Sequence, residues 1–186
     1  MSAIILLVVV AVIVLWMVGA YNRLISLKNQ VANAWKQIDV QLKRRHDLIP
    51  NLVNAVKGAM DFEKSTLEAV IAARNKAVSA TGVAQVAKAE GELSQALGRL
   101  FALSENYPQL KATANIQQLQ GELVSTENQV GSSRLLYNDV ATSYNTVQQQ
   151  FPTNLIAGMA KATPAELWQI EDAAERAVPN VDLKMS

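Results

Sequence analysis

The chain contains no cysteine and a single histidine, His46. Without thiols there are no disulfides, no cysteine nucleophile and no Cys-type zinc site. Proline is scarce (5) and aromatics make up 5% of the 186 residues, a composition that disfavours sheet-rich folds. Charge of either sign is also missing in excess. Seventeen basic residues against 16 acidic ones leave a net +1, so no global basic field points to nucleic acid. Walker, Rossmann, EF-hand and Gly-x-Ser-x-Gly patterns do not occur.

What the chain does hold is one unbroken apolar run, Ala3 to Tyr21, with no charge, no proline and one glycine, Gly19. At about 1.5 Å per residue, roughly 19 residues cover the 30 Å hydrocarbon core of a bilayer. A helix bonds its own backbone and can sit in lipid. Val18-Gly19-Ala20 has a small-residue look, as a cleavage site would. Met1-Ser2, however, supplies no basic leader, and the run exceeds the usual signal-peptide core, so a retained anchor is expected. Arg23, Lys28 and Lys36 follow the run before the first acid, Asp39. By the positive-inside rule the expected topology is a single pass through the inner (plasma) membrane, with the N-terminus outside and the C-terminal domain cytoplasmic. Lys43, Arg44 and Arg45 lie too far along a straight rod to touch the same headgroups.

Helical periodicity continues past the run. Leu24, Leu27, Val31, Ala34, Ile38 and Leu42 recur every three or four residues, widened by Trp35. The span and the first domain helix are predicted to form one rod of roughly 45 residues, near 65–70 Å long. Pro50 is expected to end it, with Asp47 capping a second helix. That helix carries Leu52, Val53, Val56, Met60, Leu67, Val70, Ile71 and Val78 and ends near Thr81-Gly82. A third is predicted from about Val83 to Glu105, with Val86, Leu93, Leu97, Leu100 and Leu103 on its stripe. Its Gly91 and Gly98, seven apart, either permit close approach of a neighbour or are simply tolerated. A fourth is predicted from Pro108 to Gln150. Ile116, Leu119, Leu123, Val130, Tyr137, Val140, Tyr144, Val147 and Phe151 fit its heptad ladder. Thr163-Pro164-Ala165-Glu166 reads as a capping box opening a short helix through Ala177.

The predicted fold is therefore all-α: an N-terminal transmembrane helix continuous with a long antiparallel four-helix bundle, plus a short C-terminal helix. The expected divisions are an anchor over 1–21, a bundle over 22–151 and a tail over 152–186.

Several polar positions invite scrutiny. A di-metal bundle site needs several Glu and Glu-x-x-His pairs, but Lys43 stands three residues before His46 and no second histidine exists. His46 is expected at a helix C-terminus near the corner. Arg134 with Tyr137 and Asn138, and Arg44-Arg45 near Asp47, are more readily read as fixing register than as reacting. Asp39, Arg74, Glu127, Asn128, Asn138 and Asn145 flank the apolar stripes, either as a partly buried polar layer or as ordinary solvated faces. No catalytic, cofactor-binding or metal residue is assigned. An enzyme reading would need a pocket joining Asp39, Arg44, Arg45, His46 and Asp47 to Glu105 and Tyr107.

The stretch Ala34-Trp35-Lys36-Gln37-Ile38-Asp39-Val40-Gln41-Leu42-Lys43-Arg44-Arg45-His46-Asp47-Leu48-Ile49-Pro50-Asn51-Leu52-Val53 closely resembles the signature of the LemA family. Tyr21-Asn22, Glu105 to Ala112, Tyr137-Asn138 with Tyr144-Asn145, and Phe151 to Ala157 agree with it. The resemblance implies a bacterial membrane protein with an N-terminal span and a long four-helix bundle, without an established enzymatic activity. Family genes often neighbour membrane metalloproteases or other envelope genes, and a magnetosome protein belongs to the group. The expected function is a non-enzymatic, self-associating scaffold, its alternative an adaptor for an envelope partner such as a protease. Expected partners are membrane lipid, further copies of the chain and an envelope protein, with no nucleic acid and no small-molecule substrate. Ala69, Ala72, Ala73, Ala77, Ala80, Ala84 and Ala87 would leave thin helix surfaces for close approach.

Overall fold

The computed structural model describes residues 1–59, 64–107 and 113–169. Over these the chain is helical with no strand. The elements are α1 (Ser2–Ala59), α2 (Lys64–Ser79), α3 (Val83–Ser104), α4 (Ala114–Gln149) and a four-residue α5 (Asn154–Ala157).

α1 is the organising element. Its 58 residues carry both the apolar run and a wall of the bundle, and by helical rise it is about 87 Å long. The apolar end has a mean hydropathy of 3.1 and none of its residues is buried within the chain, as in a lipid-facing helix. It is the one helix among the described residues long and apolar enough to cross a membrane.

The expected break at Pro50 does not occur. Proline lies inside α1, which runs on to Ala59. The second helix is accordingly shorter than predicted, starting at Lys64, and residues 60–63, with Met60 of the expected stripe, lie outside the described residues. Leu52, Val53 and Val56 are buried as expected, but on α1, where Ile49 joins them. Val78, expected in the stripe of α2, is 53% exposed.

α2 and α3 pack as an antiparallel hairpin closed at Gly82, whose φ of 81° only glycine adopts without strain. α4 returns along α1. Its N-terminus is at Ala114 and not Pro108, with 108–112 outside the described residues. The hairpin is much shorter than α1 and α4, so the bundle has two storeys. In the upper one, α1, α2, α3 and α4 enclose Ile49, Val53, Val70, Leu93, Leu100 and Ile116. In the lower one, next to the membrane, α1 and α4 have no hairpin beside them, and the tail fills its place.

Trp168 joins Ala34, Ile38, Val86 and Tyr137 in the core at the foot of the hairpin. Lower still, Ala160 packs with Leu24, Tyr144 and Val147. The described part of the predicted C-terminal helix, Thr163 to Gln169, is not helical, and Ile170 to Ala177 lie outside the described residues. Local capping signals at Thr163 and Pro164 lose to tertiary contacts: an extended segment covers more length of groove per residue than a helix does. Phe151, assigned to the core ladder of α4, is instead 80% exposed.

Candidate functional site

Two polar constellations tie this fold together. The first lies in the upper storey. On α1 the buried ladder Ile38, Leu42, Ile49, Leu52 is interrupted at Arg45. On α3 the ladder Val86, Leu93, Leu97 is interrupted at Glu90. The two interruptions meet. Arg45 Nη1 donates to Glu90 Oε2 at 2.9 Å, and Arg45 Nη2 reaches Ser94 Oγ and Glu127 Oε2, each at 2.8 Å. His46 Nε2 lies 2.6 Å from Glu90 Oε1. With a carboxylate accepting there, Nε2 carries the proton.

Arg45 and Glu90 are 3% and 2% exposed, and burial this deep requires that each charge find a partner. Both oxygens of Glu90 are engaged, one by each α1 residue. From α2, Arg74 Nε donates to the backbone carbonyl of His46 at 3.2 Å. Residues from all four long helices therefore converge around one turn of α1.

This arrangement corrects the sequence reading of His46. It is neither at a corner nor at a helix terminus; it sits mid-helix, 8% exposed, facing Glu90. Of the charged group around it, Arg45 and His46 turn inward while Asp39, Arg44 and Asp47 face solvent. Glu105 lines a separate shallow groove with Phe101, Ser104, Gln120 and Val124. A neighbouring groove of about 230 Å³ opens beside Arg45 and Glu127, walled by Leu97, Phe101, Leu123 and Val124. No side chain there is placed as a nucleophile beside a free base, because Arg45, His46 and Glu90 are committed to one another.

The second constellation holds the tail. Asn145 Nδ2 donates to the Ala165 carbonyl at 2.8 Å, and its Oδ1 accepts the Ala165 amide at 2.7 Å. Asn138 repeats the pattern with Trp168, both distances 2.9 Å. Each asparagine amide thus takes the place of a partner peptide in an antiparallel ladder. The register is geometric: seven residues of helix rise about 10.5 Å, and three of extended chain span about 10 Å. Between the two, Tyr137 Oη donates to the Glu166 carbonyl at 2.6 Å. Burial, with the Glu166 charge adding to it, pushes the Tyr137 phenol above the usual tyrosine range.

Trp168 then seats against Trp35, ring centroids 6.0 Å apart, under the Arg134 guanidinium at 5.5 Å. Trp35 meets Tyr137 edge-on at 5.4 Å. Arg134, Tyr137 and Asn138, noted together in the sequence, are together in space as a tail clamp. The expected polar layer separates accordingly. Arg74 and Glu127 join the upper knot, Asn138 and Asn145 hold the tail, and Asp39 and Asn128 are exposed.

Glu90 and Trp168 were missed by the sequence reading. The signal for Glu90 was present, as an acid at a core position of a leucine ladder. The contact of Trp168 depends on a tail conformation that periodicity does not encode. Gly91 and Gly98 have no neighbour within 4 Å of where a side chain would begin, so no helix among the described residues approaches them closely.

The pattern of the LemA family matches residues 34–183. The chain is 30% identical over 142 residues to "Protein LemA" of Metamycoplasma hominis, covering 75% of this chain and 64% of that one. It is 24% identical over 181 residues to "Magnetosome protein MamQ 2" of Paramagnetospirillum magneticum, covering 83% and 66%. To "Magnetosome protein MamQ" of Magnetospirillum gryphiswaldense it is 25% identical over 163 residues, covering 74% and 60%. The chain thus spans just under two thirds of the length of these relatives. With the apolar helix and the bundle, these matches make it a membrane-associated protein, and the chain belongs to the LemA family.

Proposed function

We propose that this protein is a non-enzymatic scaffold of the bacterial inner membrane that self-associates through its bundle. One observation carries the reading, the outer face of α4. Val124 is 57% exposed and Leu135 70%, with Gly131 between them on the same stripe, and Leu136 beside it is 45% exposed. Positions i, i+7 and i+11 lie within a narrow arc of a helix. Large apolar side chains so placed on a domain already closed by its own core suit a second copy of the same surface. The commitment of Arg45, His46 and Glu90 to each other supports a structural rather than a catalytic role for the one buried charge cluster of the described residues.

The orientation proposed is the positive-inside one, domain in the cytoplasm, from Arg23, Lys28 and Lys36 beyond the span. The magnetosome relatives carry organelle names, and a scaffold on a membrane surface is compatible with them. Light scattering of the full chain in mild detergent tests self-association: a discrete oligomer that falls to monomer in Leu135→Glu supports it, and a clean monomer of the parent chain overturns it. A reporter fused after Ser186 tests the orientation. The adaptor alternative draws on the groove beside Arg45, whose apolar walls and charged end would hold a side chain of an envelope partner. A stoichiometric second protein co-purifying from native membranes, with loss of it on Phe101→Glu, would favour that reading.

A further inference from the structure

α4 ends beside the membrane, and the chain reverses there through residues 151–162. Ile156, 4% exposed, pins this turn to the protein. Its outer side is apolar and uncovered: Phe151, Leu155 and Met159 are 80%, 68% and 72% exposed. Leu155 and Met159, four residues apart along α5 and the turn that follows it, share one side, and Phe151 stands where the chain enters the turn. What gives this knob a meaning is its position. Ile156 and Met159 wall a groove of about 220 Å³ whose other wall is Val14, Met17, Val18 and Tyr21 of α1. Those four belong to the apolar run that crosses the bilayer. Val14 lies seven residues below Tyr21, about 10 Å deeper along the helix. A side chain that meets Val14 and Met17 is therefore at the depth of acyl chains.

We infer that Phe151, Leu155 and Met159 form a lipid-binding wedge that inserts into the bilayer beside the transmembrane helix. The backbone is prepared for that solvent. The amides of Asn154 to Ala157 and of Ala160 to Ala162 all donate within the turn or to its immediate flank, which lowers the cost of taking that part of the backbone out of water. Lys161, exposed at the upper edge, is placed to extend its ammonium to the headgroups. The groove between wedge and span has the dimensions of a short stretch of acyl chain and no charged wall. The domain then meets the membrane at two points and is fixed in rotation as well as in height. This inference is independent of self-association.

The absence of cysteine makes the test direct. Met159→Cys and Leu155→Cys each create a unique thiol for an environment-sensitive fluorophore in the full chain, reconstituted in nanodiscs of phosphatidylethanolamine and phosphatidylglycerol. Lys64→Cys at the start of α2, far from the span and with a side chain 86% exposed, is the control, with unfolding midpoints measured to show that each variant keeps its fold. The expected result is strong quenching at positions 155 and 159 by nitroxide carried on the acyl chain, protection from aqueous iodide, and the reverse at 64. Quenching at 155 and 159 by iodide but not by acyl nitroxide overturns the wedge. Protection from both quenchers, varying with protein-to-lipid ratio, means that a second copy covers the knob and also overturns it. A second measurement, Leu155→Gln with Met159→Gln, is expected to lose the ordered tilt of the domain on supported bilayers while retaining membrane insertion. Unchanged tilt contradicts the proposal.

Discussion

Arg74 donates to the carbonyl of His46, the acceptor four residues before Pro50. In a helix that oxygen belongs to the amide of residue 50, and proline has none. A side chain from α2 thus replaces the hydrogen bond that Pro50 removes from α1. This explains how a 58-residue helix passes through a proline that, on local rules, should end it.

The substitution follows from that geometry. Arg74→Met is expected to cost about 1–3 kcal/mol by leaving a partly buried carbonyl without a partner. In a Pro50→Ala background the helix supplies its own donor, and the same change should cost clearly less. Denaturant unfolding of the four variants gives the coupling; equal costs in both backgrounds would show that Arg74 acts elsewhere.

Glu90 and Glu127 both pair with Arg45, yet they are not equivalent. Glu90→Ala leaves Arg45 without its buried counter-charge and His46 without its acceptor, and should cost on the order of 3–5 kcal/mol. Glu127 has a side chain 40% exposed, and Glu127→Ala should cost less than about 1 kcal/mol. A comparison of thermal unfolding midpoints checks the order, and a larger loss at 127 would contradict it.

Much of this was legible in the sequence, and the parts that were not have physical reasons. The span, the ends of α3 and the ladder of α4 as far as Val147 are periodic signals, and each helix folds as its own pattern says. Pro50 misled because its cost is local while its compensation comes from Arg74, far along the chain. Arg45 and Glu90 each break a ladder, but only packing shows that the two breaks face one another. The tail failed for the opposite reason. Thr163 to Glu166 satisfies a local helix-start rule, and the amides of Asn138 and Asn145 offer the same backbone a better set of partners.

The tail clamp predicts its own release. Asn138→Ala with Asn145→Ala removes four hydrogen bonds to the main chain of Ala165 and Trp168. At about 1 kcal/mol net each, the tail should detach without unfolding the upper storey. Limited proteolysis after residue 160 should accelerate, and emission from Trp168 should shift to the red. Unchanged protease resistance would mean that apolar contacts alone hold the tail.

Alkaline pH should loosen the same contact. The Tyr137 phenol is held above its ordinary value by burial and by Glu166, so the native state keeps that proton longer than the unfolded chain does. Its contribution is therefore complete below about pH 10 and is lost as pH rises through the native value. Tyr137→Phe should be less stable than the parent at neutral pH, through loss of the bond to Glu166, and should show a flatter decline above pH 10. Parallel declines in parent and variant would place the alkaline transition at another group.

Between Tyr21 and Ala59 α1 continues without interruption, a lever of about 57 Å by helical rise. Membrane helices lean by about 20° on average, and a lean of that size carries the far tip sideways by roughly 19 Å. Small changes in bilayer thickness or in crowding around the span are therefore delivered to the distal tip as large lateral sweeps, with no joint along the way to absorb them.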